Sequence, residues 1–262
     1  MAISIAVCNQ KGGVGKTTTV FHLARAAVKR GMRVLVIDLD PQGNLTAVAS
    51  EEPLSADRPG LADALSNTGR ETMASVIVPG VWPGLDLVPT TGEELASVRN
   101  ELVVASVNRE YRLRDALRQV TDRYDLILMD CAPALDQLAI NALTASDKVL
   151  VVTHSKLFAS HGLDQLMSAV ESVQTHCNPK LKIAGVLVNQ HEDKTVSGRS
   201  WLVELQQQSE RLGLKVFDPP VPKRVVISDA VEASVGLDEY GSEQGSAMAE
   251  LYDEHLLNLI TD

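Results

Sequence analysis

The 262-residue sequence predicts an α/β fold: a doubly wound, mostly parallel twisted sheet flanked by helices on both faces. Three observations predict it. Short β-branched runs alternate with helical patterns along the whole chain. Several runs (Val34–Ile37, Leu126–Met129, Val149–Val152) are apolar at every position, as in strands covered on both faces. A glycine-rich turn joins the first such run to the first helical pattern.

Strands are expected at Ile3–Cys8, Arg33–Leu39, Leu85–Pro89, Tyr124–Asp130, Lys148–Thr153 and Ile183–Asn189, with a weaker one at Leu214–Phe217. Helices are expected near 16–30, 92–120, 136–145, 160–176, 198–211 and 246–260, the first closed by Gly31. The stretch Glu51–Gly84 carries Pro53, Pro59, Pro79 and Pro83 and reads as a loop-rich insertion around a short helix at Leu61–Leu65. It is too short for a separate domain, so residues 1–262 are expected to form a single domain.

Aromatic residues are 3% of the chain, so Leu, Val, Ile and Ala must fill the core. No apolar run approaches the ~18–20 residues of a membrane-spanning helix, and the N-terminus shows no export signal. Cys8, Cys131 and Cys177 have neither CxxC nor metal spacing, and read as buried thiols of a reducing cytoplasm. The formal net charge of −10 speaks against a wholly basic, nucleic-acid-coating surface. Its distribution says more: residues 225–262 hold nine acids and no Lys or Arg, whereas 180–224 hold eight bases against five acids.

The turn Lys11-Gly-Gly-Val-Gly-Lys16-Thr17-Thr18 completes the GxxxxGK[ST] pattern in a strand-turn-helix context. Gly12, Gly13, Val14 and Gly15 can curl backbone N–H groups around a phosphate, and the helix that follows points its positive end at the same anion. Lys16 can reach the outer phosphates, and the Thr17 hydroxyl can bind Mg²⁺. Two further strands end in acids: Asp130 after Tyr124–Met129, the pattern of a Walker B metal ligand, and Asp38 and Asp40 after Val34–Ile37. Ligands in such sheets sit at the carboxyl ends of strands, where all three acids are expected to converge; acids that simply cap strand ends at the surface are the alternative.

Together these residues resemble the ParA/MinD family of deviant Walker-A ATPases, most closely the ParA partition branch. The mark is Lys11, a second lysine at the head of the loop. The resemblance implies that ATP with Mg²⁺ is bound, Thr17 and Asp130 serving the metal, and that Lys11 reaches the partner's ATP across a homodimer. It implies catalytic roles for Lys11, Lys16 and Asp40, the last orienting water, with Asp38 beside the cofactor. Asp130-Cys-Ala-Pro133 looks like the family's Asp-Cys-Pro-Pro switch, with Ala132 in place of the first proline. Asn189 and Pro222 fall where the family holds adenine; a buried Asn satisfying backbone groups is the alternative at 189. The resemblance also implies nonspecific binding of double-stranded DNA through Lys194, Arg199, Lys223 and Arg224, hydrolysis stimulated by a ParB-like protein, and a cytoplasmic, nucleoid-associated location. A solvated charged loop is the other reading of those four bases.

Four alternatives follow. A membrane-bound relative needs a basic amphipathic C-terminal helix. The stripe Met248, Leu251, Leu256, Leu259 and Ile260 has acidic flanks instead, and is expected to pack in the core. An iron–sulfur reductase needs cluster thiolates that three scattered cysteines do not provide. A nucleotide-gated scaffold that does not turn over ATP, and a positioner of a microcompartment or other large cargo, share the same loop.

Overall fold

The computed structural model describes residues 2–55, 57–67, 69–90, 92–105, 107–154 and 162–261. Residues 160 and 161 of the expected fourth long helix, and the terminal acid Asp262, lie outside them. Seven strands form one sheet: β1 (Ile3–Cys8), β2 (Val34–Leu39), β3 (Val78–Pro79), β4 (Leu85–Val88), β5 (Leu126–Cys131), β6 (Lys148–His154) and β7 (Lys182–Asn189). Their order is β3-β4-β2-β5-β1-β6-β7, parallel throughout except for β3 against β4.

Continuous hydrophobicity in these strands reflects two covered faces. In β1, Ala6 and Cys8 enter one core while Ile5 and Val7 enter the other; β2 and β5 divide their residues the same way. The first core is closed by α3 (Leu61–Leu65), α5 (Gly92–Val104), α6 (Arg112–Leu117), α7 (Gln137–Ala145), α8 (Gly162–His176) and α9 (Val196–Arg211). The second is closed by α1 (Lys16–Lys29), α2 (Asn44–Ala49), α10 (Val225–Glu232) and α11 (Glu243–Ile260). The expected doubly wound α/β class is therefore the observed one.

Several elements depart from expectation. The helix expected over 92–120 is two, α5 and α6, parted at Asn108, whose φ of 55° no α-helix continues through. The weak strand at Leu214–Phe217 makes an isolated bridge, Val186 to Val216, with Val186 N–H bonded to the Lys215 carbonyl at 2.8 Å and Phe217 N–H to the Val186 carbonyl at 2.9 Å. The stretch 51–84 contains, besides α3, a one-turn helix α4 (Met73–Val76) and β3. Pro79 fits β3 because an edge strand can spare a donor. Neither α2 nor α10 is among the expected helices, both being too short to show a helical period.

Gly31 takes φ 77° after α1, with Gly31 N–H bonded to the Val28 carbonyl at 2.8 Å and Met32 N–H to Ala27 at 3.1 Å, a Schellman closure. The acidic C-terminal region finds partners on α1. Asp238 binds the Arg25 guanidinium through both oxygens (3.0 and 2.9 Å), Glu239 lies 3.0 Å from it, and Arg25 stacks 5.2 Å from the Trp82 ring. Further along, Arg30 pairs with Asp253. The apolar stripe of α11 packs inward: Leu251, Tyr252, Leu256 and Leu259 are buried against α1 and the sheet. No helix among the described residues is long and apolar enough to cross a membrane.

His22 lies at this α1–α11 seam, buried, with Nε2 3.1 Å from the Ile227 carbonyl and its ring 4.9 Å from Tyr252. Burial lowers its pKa to about 4 from the ordinary 6.5. Below pH 6.5 the unfolded chain therefore takes up a proton that the native ring refuses until about pH 4. Stability contributed by the neutral ring is thus intact above 6.5 and lost as the pH falls through that window. Urea unfolding from pH 7.5 to 4.5 should show wild type losing about 3 kcal/mol more than His22→Leu over the same range.

Candidate nucleotide site

The site is built at the carboxyl ends of the central strands. β1, flanked by β5 and β6, runs into the turn 9–15, and α1 starts at Lys16. Gly13 and Gly15 take φ of 72° and 86°, which side-chain-bearing residues resist. At Gly15 space forbids a side chain as well: a Cβ would sit 2.1 Å from Asn189 Nδ2. Gly15 caps α1 with no side-chain bond, so the first-turn N–H groups remain open to an anion.

The two lysines of the turn face different surroundings. Lys16 is buried, its Nζ 3.4 Å from the Lys11 carbonyl, whereas Lys11 is exposed. Thr17 Oγ1 donates to Asp130 Oδ2 at 2.6 Å. The other oxygen, Asp130 Oδ1, is buried and has no hydrogen-bond partner. Parallel register sets Asp130 directly beside Asp38, and burial, then the Asp38 charge, push its carboxyl well above the usual range. A dry carboxylate oxygen beside a threonine hydroxyl is suited to a hydrated divalent cation. Among the described residues no three His, Cys, Asp or Glu side chains could hold a metal by themselves. Phosphate and water must therefore complete any shell that Thr17 and Asp130 begin.

Asp38 is placed differently from Asp130. Its Oδ1 accepts the Asp40 N–H (3.1 Å), and its Oδ2 accepts both the Thr46 N–H (2.8 Å) and hydroxyl (2.7 Å). Both oxygens thus hold the 40–46 turn. Burial raises its pKa even so. Thr46 passes the hold on, accepting the Thr90 N–H at 3.0 Å. Asp40, half-buried at the head of that turn, accepts the Gln42 N–H at 3.0 Å.

Asn189 is buried, its Nδ2 donating to the Val14 carbonyl (3.0 Å) and its Oδ1 accepting the Gln190 N–H (2.8 Å). The backbone-satisfying alternative is therefore the geometry present. The same residue lines a cleft of about 190 Å³ with Thr18, Gln190, Pro222 and Arg224. Gln190, at φ 51°, sends Nε2 toward the Gly13 carbonyl at 3.4 Å. Neither Gln190 nor Thr46 was singled out from sequence; an isolated polar residue after a strand carries no local signal.

The four basic candidates fall on one edge. A bridge between His191 and Pro222 (His191 N–H to Val221 carbonyl, 2.9 Å; Lys223 N–H to His191 carbonyl, 2.9 Å) joins their two segments. Lys194, Arg199 and Lys223 are exposed and Arg224 is half-buried. Lys223 lies 3.3 Å from Glu192, and Arg199 donates to the Asp193 carbonyl at 2.9 Å.

Residues 2–183 match the family described as an AAA domain. The chain is 38% identical to the sporulation initiation inhibitor protein Soj of Bacillus subtilis over 226 residues, 86% of each chain. It is 37% identical to the chromosome partitioning protein ParA of Caulobacter vibrioides over 228 residues, 86% of this chain and 82% of that one. The chain belongs to the ParA-like family. Among solved structures, a cobyrinic acid a,c-diamide synthase from Mycobacterium smegmatis, with bound ATP analogue and magnesium, superposes with a TM-score of 0.81 at 31% identity. That match covers 98% of this chain and 95% of the synthase.

An uncompensated carboxylate is a local liability. A carboxyl with a raised folded pKa removes stability at neutral pH and returns it as the pH falls. Thermal and urea unfolding without nucleotide at pH 7.5 should show Asp130→Asn more stable than wild type by about 2 kcal/mol. That gain should shrink toward pH 4.

Proposed function

We propose that this chain is a ParA-type partition ATPase that dimerises on ATP, binds DNA as a dimer and releases it on hydrolysis. The observation that carries the reading is the division of labour between two lysines of one turn: Lys16 buried toward its own loop, Lys11 exposed at its head. One serves the phosphates within the subunit; the other is free to serve a neighbour's. The ligand is ATP with Mg²⁺, which supplies the scissile phosphate chain and neutralises charge on it.

The chain's own groups then act as follows. The N–H groups of Gly12–Thr18 surround the phosphates, and Lys16 leaves the Lys11 carbonyl for the outer ones. Thr17 and Asp130 begin the metal's shell. Asp38 braces the turn from which Asp40 aligns the attacking water. Lys11 of the facing subunit adds the positive charge that other NTPases obtain from an arginine finger. The base rests in the cleft lined by Asn189 and Pro222.

Lys194, Arg199, Lys223 and Arg224 form a modest basic edge on each subunit, and closure doubles it. Doubling a weak contact raises affinity by about 10²–10⁴ when both halves engage, which reconciles DNA binding with the acidic total. A ParB-like adaptor stimulates slow hydrolysis, and the site of action is the nucleoid in the cytoplasm. Whether the cargo is a plasmid, a chromosome or another large body is decided by that adaptor. The mycobacterial relative raises a second reading, amide synthesis. That chemistry needs a nitrogen-delivering thiol or its equivalent; Cys8 and Cys131 lie buried in the core, and Cys177, half-buried, sits between α8 and the amino end of β7, away from the carboxyl ends of the strands, which favours partition.

Binding to a random duplex should be retained with ATP, weak with ADP, and lost with ATP in Lys11→Ala; it should fall steeply between about 50 and 200 mM salt. Retention indifferent to nucleotide and to Lys11 would sink the reading. In Asp40→Ala with ATP, light scattering should show a trapped dimer with no phosphate release, whereas a persistent monomer would count against closure.

A further inference from the structure

The main chain of Lys11 is held at both ends. Its N–H donates to Asn9 Oδ1 at 3.0 Å, and Asn9 Nδ2 donates in turn to the Val152 carbonyl on β6 at 2.7 Å. Its carbonyl accepts from Lys16 Nζ at 3.4 Å. These two holds differ in kind. The Lys16 ammonium is long, flexible and the group a phosphate would attract, so that hold is surrendered when the loop fills. The Asn9 amide is short, uses both its ends, and is anchored on a strand that pairs with β1 and β7 on its two sides. It lies outside the phosphate-binding stretch and no role at the site has been given to it.

We propose that Asn9 is the positioning residue for Lys11. By fixing the Lys11 N–H to the end of β6, it sets where the outgoing side chain is rooted and keeps that root in place once Lys16 lets go. A lysine that must meet a phosphate on another subunit carries four rotatable bonds. Scatter at its root adds to scatter along the chain, and misplacement by about 1 Å can cost a reacting site on the order of 100-fold. The inference rests on the trans role proposed for Lys11.

The test compares wild type, Asn9→Ala, Lys11→Ala and the double variant in ADP affinity by fluorescent-nucleotide titration, ATP-dependent dimer fraction by light scattering, and ATP turnover. In Asn9→Ala, ADP affinity should stay within about twofold, while dimerisation and turnover fall about tenfold, as for one lost hydrogen bond of ordinary strength. The double variant should be no worse than Lys11→Ala, because one residue acts through the other. Asn9→Asp keeps the acceptor for Lys11 but sets an oxygen against the Val152 carbonyl; it should show the same signature, and replaces the alanine variant should that unfold. Wild-type dimerisation and turnover in the Asn9 variants, losses that multiply in the double variant, or an equal loss of ADP affinity would each overturn the proposal. Wild-type behaviour of Lys11→Ala would overturn the trans-lysine reading and this one with it, whereas a crippled Lys11→Ala beside an intact Asn9→Ala overturns this one alone.

Discussion

A turn that presents its N–H groups to an anion must turn its carbonyls away, and those carbonyls need donors of their own. Much of the site follows from that constraint. The Val14 and Gly13 carbonyls are met by Asn189 and Gln190 at the end of β7, and the Lys11 carbonyl is met by Lys16. Asn189 can approach only because Gly15 has no side chain, so the glycine serves two demands, a backbone angle and a contact. β1 must have neighbours on both sides for this to work: the β6–β7 side braces the turn, and β5 on the other side brings Asp130 to it.

Buried charge sets the second condition. Asp38 and Asp130 lie side by side on β2 and β5, both buried, and burial favours their neutral forms. They tolerate this unequally. Asp38 is compensated by three donors from its own turn, while Asp130 has one partnered oxygen and one bare. A folded protein keeps an arrangement this unfavourable where the missing partner arrives with a ligand.

The sequence was legible where a pattern spans many residues and obscure where a single side chain acts at a distance. The six strands expected besides the weak one are all present, and the phosphate turn lies where its glycines and lysines placed it. Thr18, Asn189 and Pro222 were named from sequence, and the structure gathers them around one cleft. The break between α5 and α6 was hidden because Val103 and Val104 in the last turn of α5, and Val107 beyond it, keep an apolar pattern running although all three are exposed. Gln190, Thr46 and Asn9 could not be found from sequence. Each acts through a hydrogen bond whose partner is set by tertiary register rather than by neighbours in the chain. The role of Asp38 likewise turns on Thr46, eight residues on, whose hydroxyl reaches back only because the turn between them folds as it does.

The helix that begins at the phosphate turn ends in a clasp. Arg25 is gripped by Asp238 and Glu239 and stacked on Trp82, and His22 is bonded to α10 from within the seam. Isolated surface ion pairs contribute little, but Arg25 and Asp238 are largely enclosed and joined by two bonds. α1 is therefore a stator. Events at its first turn cannot be relieved by sliding the helix along its axis, and strain from an arriving anion is confined to the seven residues between Cys8 and Lys16. Within that short connection the hold that yields is Lys16 on the Lys11 carbonyl, while Asn9 and Asn189 keep theirs.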